Sequence, residues 1–217
     1  EMCIRDSPDG APAALWIDAQ NQVCDPDGPL FEADALAMPG SHNRQNLLMV
    51  TAVARQIGLS GEQIASGLRS FPGVPHRLER IGSSSTCSVF NDSKATNYDA
   101  AEVGLKAMTA PVVVLAGGQT KRGDATGWLK QLREKACCVV LFGKGAEELE
   151  ALITGAGFKG SLHRCPGLAE AVPLALEQAD RLNAVSLLLS PACASFDQYK
   201  DFEARGDHFR QLIQSAS

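Results

Sequence analysis

The sequence predicts an α/β fold with a doubly wound, mostly parallel sheet over residues 76–217. Three observations predict it. Short continuous apolar runs recur from Ser88 onward, as expected of strands covered on both faces. Helical patterns separate them one by one. Polar residues bunch directly after several runs, where open α/β sheets bind ligands at the carboxyl ends of their strands.

The elements follow in order. Residues 8–40 are rich in Pro, Gly, Asp and Ala and read as turns, with one short strand within Ala13–Ile17. A helix is expected after Ser41-His42-Asn43, with Leu47, Leu48, Val50, Thr51, Val53 and Ala54 on its apolar face and Gly58 as its stop. Ser60 caps a second helix over Glu62–Ser70. Phe71-Pro72-Gly73-Val74-Pro75 then breaks the chain and reads as a domain hinge. Beyond it, strands are expected at Ser88–Asn91, Val112–Ala116, Val139–Phe142, Ser161–Arg164 and Val185–Leu189. Helices are expected at Tyr98–Met108, Ala125–Lys135, Ala146–Ile153, Leu168–Arg181 and about Asp197–Ile213.

The densest chemistry is Asn91-Asp92-Ser93-Lys94-Ala95-Thr96-Asn97, between an apolar run at Thr86–Phe90 and a helix. A cap needs one such residue, not six, so this loop is read as functional. Gly117-Gly118-Gln119-Thr120-Lys121-Arg122-Gly123-Asp124 follows the second strand. Its glycines allow close backbone approach, and Lys121 can reach an anion. A glycine turn with solvated charges explains it equally well, and no P-loop spacing is present. Gly143-Lys144-Gly145 reads as ordinary turn chemistry. Ser190-Pro191-Ala192-Cys193-Ala194-Ser195-Phe196-Asp197 ends the fifth strand. Ser195 is expected just before a helix, where its hydroxyl and free N–H groups could hold a carboxylate. Cys193 has no histidine nearby and is read as a packing residue.

In the tail Tyr199–Phe209, charge reads as a solvated face, with Phe202 and Phe209 packing inward. His42-Asn43-Arg44-Gln45-Asn46 offers amides to a planar heterocycle, or a helix cap. His76-Arg77 could hold phosphate or form an interdomain ion pair.

Bulk properties narrow the classes. The 217 residues are 45% hydrophobic and 21% charged, with net charge −5. No basic stripe suggests nucleic acid, and no run approaches the roughly 18 apolar residues of a membrane span. Seven cysteines without a CxxC pair read as reduced packing residues of a cytosolic protein. The four histidines lack metal-ligand spacing, so no zinc site is expected. Glu1–Ser7 carries no signal-peptide core and is read as a non-native leader on a fragment whose own start lies upstream.

SHNRQN, FPGVPHRLE, NDSKATN, GGQTKRGD and SPACASFDQYKDFEARGDHF occur in this order from about Pro39 to the end. Together they resemble the C-terminal part of the Mur ligase family, in its D-glutamate-adding branch. Other Mur ligases and folylpolyglutamate synthetases share the architecture but carry different residues after the corresponding strand.

The resemblance implies a Rossmann-like C-terminal domain at 76–217. It implies an incomplete tail of an α/β ATP-binding domain at 1–75. The family's P-loop, magnesium ligands, carbamylated lysine and UDP-binding domain have no counterpart in these residues. The implied reaction is ATP-dependent addition of D-glutamate to UDP-N-acetylmuramoyl-L-alanine through an acyl phosphate. ATP and Mg2+ would serve the full-length enzyme, with no metal ligand in this chain. By resemblance Lys94, Thr96, Lys121, Ser195 and Phe202 match the D-glutamate pocket. Asn43, Asn46, His76, Arg77 and Asp92 match nucleotide-binding positions.

A cytoplasmic monomer with small-molecule substrates is expected, inactive on its own as a fragment. The alternatives are another Mur or folylpolyglutamate-type ligase, or a non-catalytic module that binds a small anion.

Overall fold

The structure, a computed structural model, describes residues 2–4, 14–83 and 87–216. The expected leader at 1–7 and the first turn-rich residues lie largely outside these. The chain forms two compact units, Glu1–Gly73 and Val74–Ser217.

The first unit is an antiparallel meander of β1 (Met2–Ile4), β2 (Leu15–Ile17), β3 (Gln22–Asp25) and β4 (Gly28–Glu32). It carries two helices, α1 (Ser41–Gln56) and α2 (Gly61–Ser70). Only β2 was legible in the sequence. The strands β3 and β4 are short and hold Pro29, and their register slips at Val23/Cys24, so no clean alternation marks them. Leu15, Ile17, Val23, Phe31, Leu47, Leu48 and Ile64 form the core of this unit.

Ser60 caps α2 in a reciprocal capping box with Gln63. The apolar face of α1 is narrower than expected. Leu47, Leu48 and Thr51 are buried, but Val50 and Val53 are exposed.

The second unit is a six-stranded sheet in the order β5-β6-β10-β7-β8-β9. Its strands are β5 (Glu79–Ser83), β6 (Ser88–Asn91), β7 (Val112–Gly117), β8 (Ala136–Phe142), β9 (Ser161–Cys165) and β10 (Ser186–Leu189). All pair in parallel except the edge strand β5, which runs antiparallel to β6. The sequence hid β5 because Glu-Arg-Ile-Gly-Ser has no apolar run, and no residue of it is fully buried.

The helices are α3 (Tyr98–Lys106), α4 (Thr126–Lys135), α5 (Ala146–Gly155), α6 (Leu168–Arg181) and α7 (Phe202–Ala216). Side chains alternate across each strand. Val112, Val114, Val139, Leu141 and Leu188 meet Leu105, Trp128, Leu132, Leu149 and Ile153 from α3, α4 and α5. Val113, Leu115, Val140, Leu187 and Leu189 meet Leu168, Val172, Ala175, Phe209 and Ile213 from α6 and α7.

The path of the chain explains this division. From β6 through β9 the chain advances in one direction along the sheet, and same-handed crossovers lay their helices on one face. The return from β9 to β10 runs backwards, so α6 covers the other face. The loop after β10 therefore leaves towards α7, while the loops after the neighbouring β6 and β7 leave towards α3 and α4. That divergence is the topological switch point of the sheet, where a crevice opens at the carboxyl ends.

Candidate functional site

Three loops meet at this switch point. The first leaves β6. Asn91, Asp92 and Ser93 are all buried. The Asn91 amide donates to the Gly206 carbonyl at 3.1 Å, and its oxygen accepts from the Ser93 N–H. The Asp92 carboxylate accepts from the Leu78 N–H at 3.2 Å and from the Ser190 hydroxyl at 3.1 Å. Burial pushes its carboxyl up to about 7; the Leu78 and Ser190 hydrogen bonds and the Arg77 charge oppose that shift without cancelling it. Lys94 points outward, its ammonium 3.9 Å from the centre of the Phe202 ring. Thr96 is half-buried, and Asn97 caps α3 by accepting from the Ala100 N–H at 2.8 Å.

The second loop leaves β7. Gly117 and Gly118 lie at φ 145° and 124°, conformations that side chains resist. A Cβ on either would overlap a backbone oxygen, of Phe142 or of Ala194. Lys121 is exposed two residues after Gln119, whose backbone exchanges hydrogen bonds with Ala194 at 2.8 and 2.9 Å. Asp124, the nearest acid in sequence, accepts from the Thr126 N–H instead of facing Lys121.

The third loop leaves β10. Ser195 is buried. Its carbonyl accepts from Gln198 and Tyr199 in a tight turn, so α7 begins at Phe202, not at Asp197. The reason is local. The Asp197 carboxylate is taken by the Lys144 N–H at 2.9 Å, and Asp201 caps the helix through the Ala204 N–H at 2.7 Å. The expected helix N-terminus beside Ser195 is therefore absent. Cys193 is wholly buried in the core, and burial pushes its thiol up to about 12.

Of the residues matched to the nucleotide, Arg77 is exposed. His76 is buried, with Nδ1 3.1 Å from the Asn91 amide and Nε2 3.7 Å from Asp207. His76 and Leu78 both have positive φ, 60° and 46°, so the turn that presents Arg77 is strained and must be held. Asp92 is one of its anchors and faces inward. Asn43 and Asn46 belong to the first unit. The Asn43 amide donates to the Pro39 carbonyl at 2.7 Å, and a groove of about 280 Å3 runs beside it, past Ala37 and Gly40.

Sequence reasoning missed Arg205. Its surroundings in sequence, charges on a final helix, suggested a solvated face. Instead the side chain is fully buried and its guanidinium donates four hydrogen bonds. The available signal was its place three residues after Phe202 and four before Phe209, on the apolar side of the same helix.

A family model described as Mur ligase, glutamate ligase domain, matches residues 76–193. The chain belongs to the Mur ligase family. Among curated members it is 70% identical over 206 residues to a UDP-N-acetylmuramoylalanine–D-glutamate ligase of Parasynechococcus marenigrum. That match covers 95% of this chain and 45% of the relative. It is 64% identical to the ligase of the same name from Prochlorococcus marinus strain MIT 9313, covering 94% of this chain and 44% of the relative. The chain thus spans less than half the length of these Mur ligases.

Among solved structures, a Mycobacterium tuberculosis folylpolyglutamate synthase complexed with ADP and AMPPCP superposes with a TM-score of 0.61 at 19% identity. It covers 91% of this chain and 46% of its own. The UDP-N-acetylmuramate-alanine ligase of Thermotoga maritima gives 0.58 at 20% identity, covering 84% of this chain and 40% of its own. These show the shared fold.

Proposed function

We propose that this chain is the C-terminal part of an ATP-dependent ligase that adds D-glutamate to UDP-N-acetylmuramoyl-L-alanine in peptidoglycan precursor synthesis. One observation carries the reading: relatives with that activity in their name are 64–70% identical. The candidate D-glutamate residues also occupy neighbouring loops at one switch point. In this reading residues 76–217 are the D-glutamate domain, and residues 1–75 are the end of the ATP-binding domain. The protein is a cytoplasmic monomer. No helix among the described residues is long and apolar enough to cross a membrane.

ATP converts the carboxylate of UDP-N-acetylmuramoyl-L-alanine into an acyl phosphate. The D-glutamate amine attacks its carbonyl, and phosphate leaves the tetrahedral intermediate. The work of this chain is to orient the amine and neutralise charge. D-glutamate brings two carboxylates, and Lys94 and Lys121 supply two cations from the loops after β6 and β7, on either side of β10. Thr96 and Ser195 supply hydroxyl donors, and Phe202 steadies Lys94 from below. Arg77 is assigned to the nucleotide, and His76 and Asp92 hold the turn that presents it. Asn43, which lines the groove of the first unit, and Asn46, whose amide donates to the Asn43 oxygen at 3.4 Å, are assigned to the base. Mg2+ accompanies ATP. None of the residues of this chain is assigned to it.

Calorimetry of this chain with D-glutamate, diaminopimelate, lysine and phosphate tests the reading. Binding of D-glutamate in preference to the others supports it. Preference for diaminopimelate or lysine points to another Mur ligase, and binding of phosphate without amino-acid selectivity points to an anion-binding module. The chain by itself is expected to release no phosphate from ATP with D-glutamate, since its sequence has no P-loop to hold the triphosphate.

A further inference from the structure

Arg205 carries a charge into the interior without a hydrogen-bonded carboxylate. Its Nε donates to the Ser93 hydroxyl at 3.0 Å and its Nη2 to the Ser93 carbonyl at 2.8 Å. Its Nη1 donates to the carbonyls of Cys193 at 3.0 Å and Gly117 at 3.4 Å. The Ser93 hydroxyl in turn donates to the Phe202 carbonyl at 2.8 Å. Every acceptor is a neutral oxygen, so neutral hydrogen bonds, with the charge of nearby Asp197, offset the desolvation of a buried cation. Burial lowers the guanidinium to about 10, which still leaves it charged at neutral pH.

The acceptors are not scattered. Ser93 lies in the loop after β6, Gly117 ends β7, and Cys193 lies in the loop after β10. The arginine itself belongs to α7. These segments carry Lys94 and Thr96, Lys121, Ser195, and Phe202. One side chain therefore touches each segment that supplies a candidate D-glutamate residue. The glycine at 118 is part of the same arrangement, since a Cβ there would lie 3.1 Å from Nη1 and overlap the Ala194 carbonyl.

We propose that Arg205 is a positioning residue. Its guanidinium clasps the strand ends of β6, β7 and β10 to α7, and so fixes the spacing between the groups that receive the two carboxylates of D-glutamate. This rests on the D-glutamate reading above, but the clasp itself does not. Lysine in its place keeps the charge and loses the fork, because a single ammonium cannot reach three loops at once.

The test compares this chain with Arg205→Lys, and with Ser93→Ala as the milder variant should lysine fail to fold. Hydrogen exchange is followed by peptide, alongside calorimetry with D-glutamate. Protection is expected to fall together in 91–97, 117–121 and 190–196, while β8, β9 and α5 stay as in the parent. D-glutamate affinity is expected to fall about tenfold or more. Loss of protection confined to α7, or spread evenly over the unit, overturns the clasp. Parent binding that the variants retain unchanged overturns its role in the pocket. If the parent binds no D-glutamate, the D-glutamate reading fails, and the exchange pattern still decides the clasp.

Discussion

The carboxylate of Asp92 holds the backbone N–H of Leu78 at 3.2 Å, fourteen residues back in the chain. Leu78 sits at a positive φ that only a well-anchored turn sustains, and Arg77 is displayed on that turn. The anchor is a buried acid whose carboxyl is raised to about 7 by loss of water. Asp92, matched to the nucleotide in the sequence, is thus buried in the fold and anchors the turn that displays Arg77.

This gives a signed dependence on pH. An ordinary Asp titrates near 3.9 when unfolded, so between about 4 and 7 the folded chain holds a proton that the unfolded chain has lost. The contribution of Asp92 to stability is greatest below the unfolded value and falls as pH rises to about 7. Asp92→Asn removes this slope, and its amide oxygen can still accept from Leu78. The variant is expected to gain on the parent as pH rises, by on the order of a few kcal/mol. Urea unfolding of both at pH 4, 5.5 and 7.5 measures it. Parallel pH profiles would count against a raised Asp92.

The contrast between Asp92 and Lys94 shows what the sequence could reveal. Continuous apolar strands such as Val112–Gly117 and helices with a clear 3.6 period fixed the sheet and its helices, because burial on both faces leaves a strong pattern. Polar bunching after β6, β7 and β10 marked the loops that meet at the switch point of the sheet. It could not tell which polar residues face the crevice and which turn inward, since Asp92 and Lys94 sit two apart in one loop. Nor could it find Arg205, whose acceptors are backbone oxygens from distant segments. The strand β5 escaped for a different reason. Edge strands carry mixed burial, and Glu79 serves Arg210 and the His76 N–H rather than a core.

Gly206 meets His76 face to face. A Cβ on Gly206 would overlap the His76 ring, and the Gly206 carbonyl already accepts from Asn91. Gly206→Ala is therefore expected to displace the imidazole and cost roughly 1–3 kcal/mol by overpacking. The His76 ring resonances should shift, while those of His163 on the far edge strand β9 stay. Denaturant melts and imidazole NMR spectra check both parts; an unmoved His76 signal would show that the contact is loose.

Cys193 stands in the loop after β10 yet cannot serve as a nucleophile. It is wholly buried, and its thiol is pushed up to about 12 by burial, so almost no thiolate exists at neutral pH. In the native chain at pH 8, alkylation by iodoacetamide should spare Cys193 while it modifies less buried thiols. Peptide mapping by mass spectrometry reads this. Rapid modification of Cys193 would mean that the loop opens. Cys193→Ala should retain D-glutamate binding at a modest cost in stability.

Lys121 makes the sharpest test of the proposed pocket. It is exposed on the loop after β7, and its sequence neighbour Asp124 is committed to the Thr126 N–H. Its ammonium is available to a substrate carboxylate at the switch point, on the strand beside β10. In the ligase that contains this segment, Lys121→Ala is expected to raise the KM for D-glutamate about a hundredfold, as when one partner of a bound charge pair is removed. The KM for ATP should change far less, because Lys121 is not among the residues proposed for that substrate. Stability should hardly move, since an exposed loop lysine has little packing to lose. Steady-state kinetics with each substrate titrated separately distinguishes this from a solvated turn charge, for which the KM for D-glutamate would stay where it is.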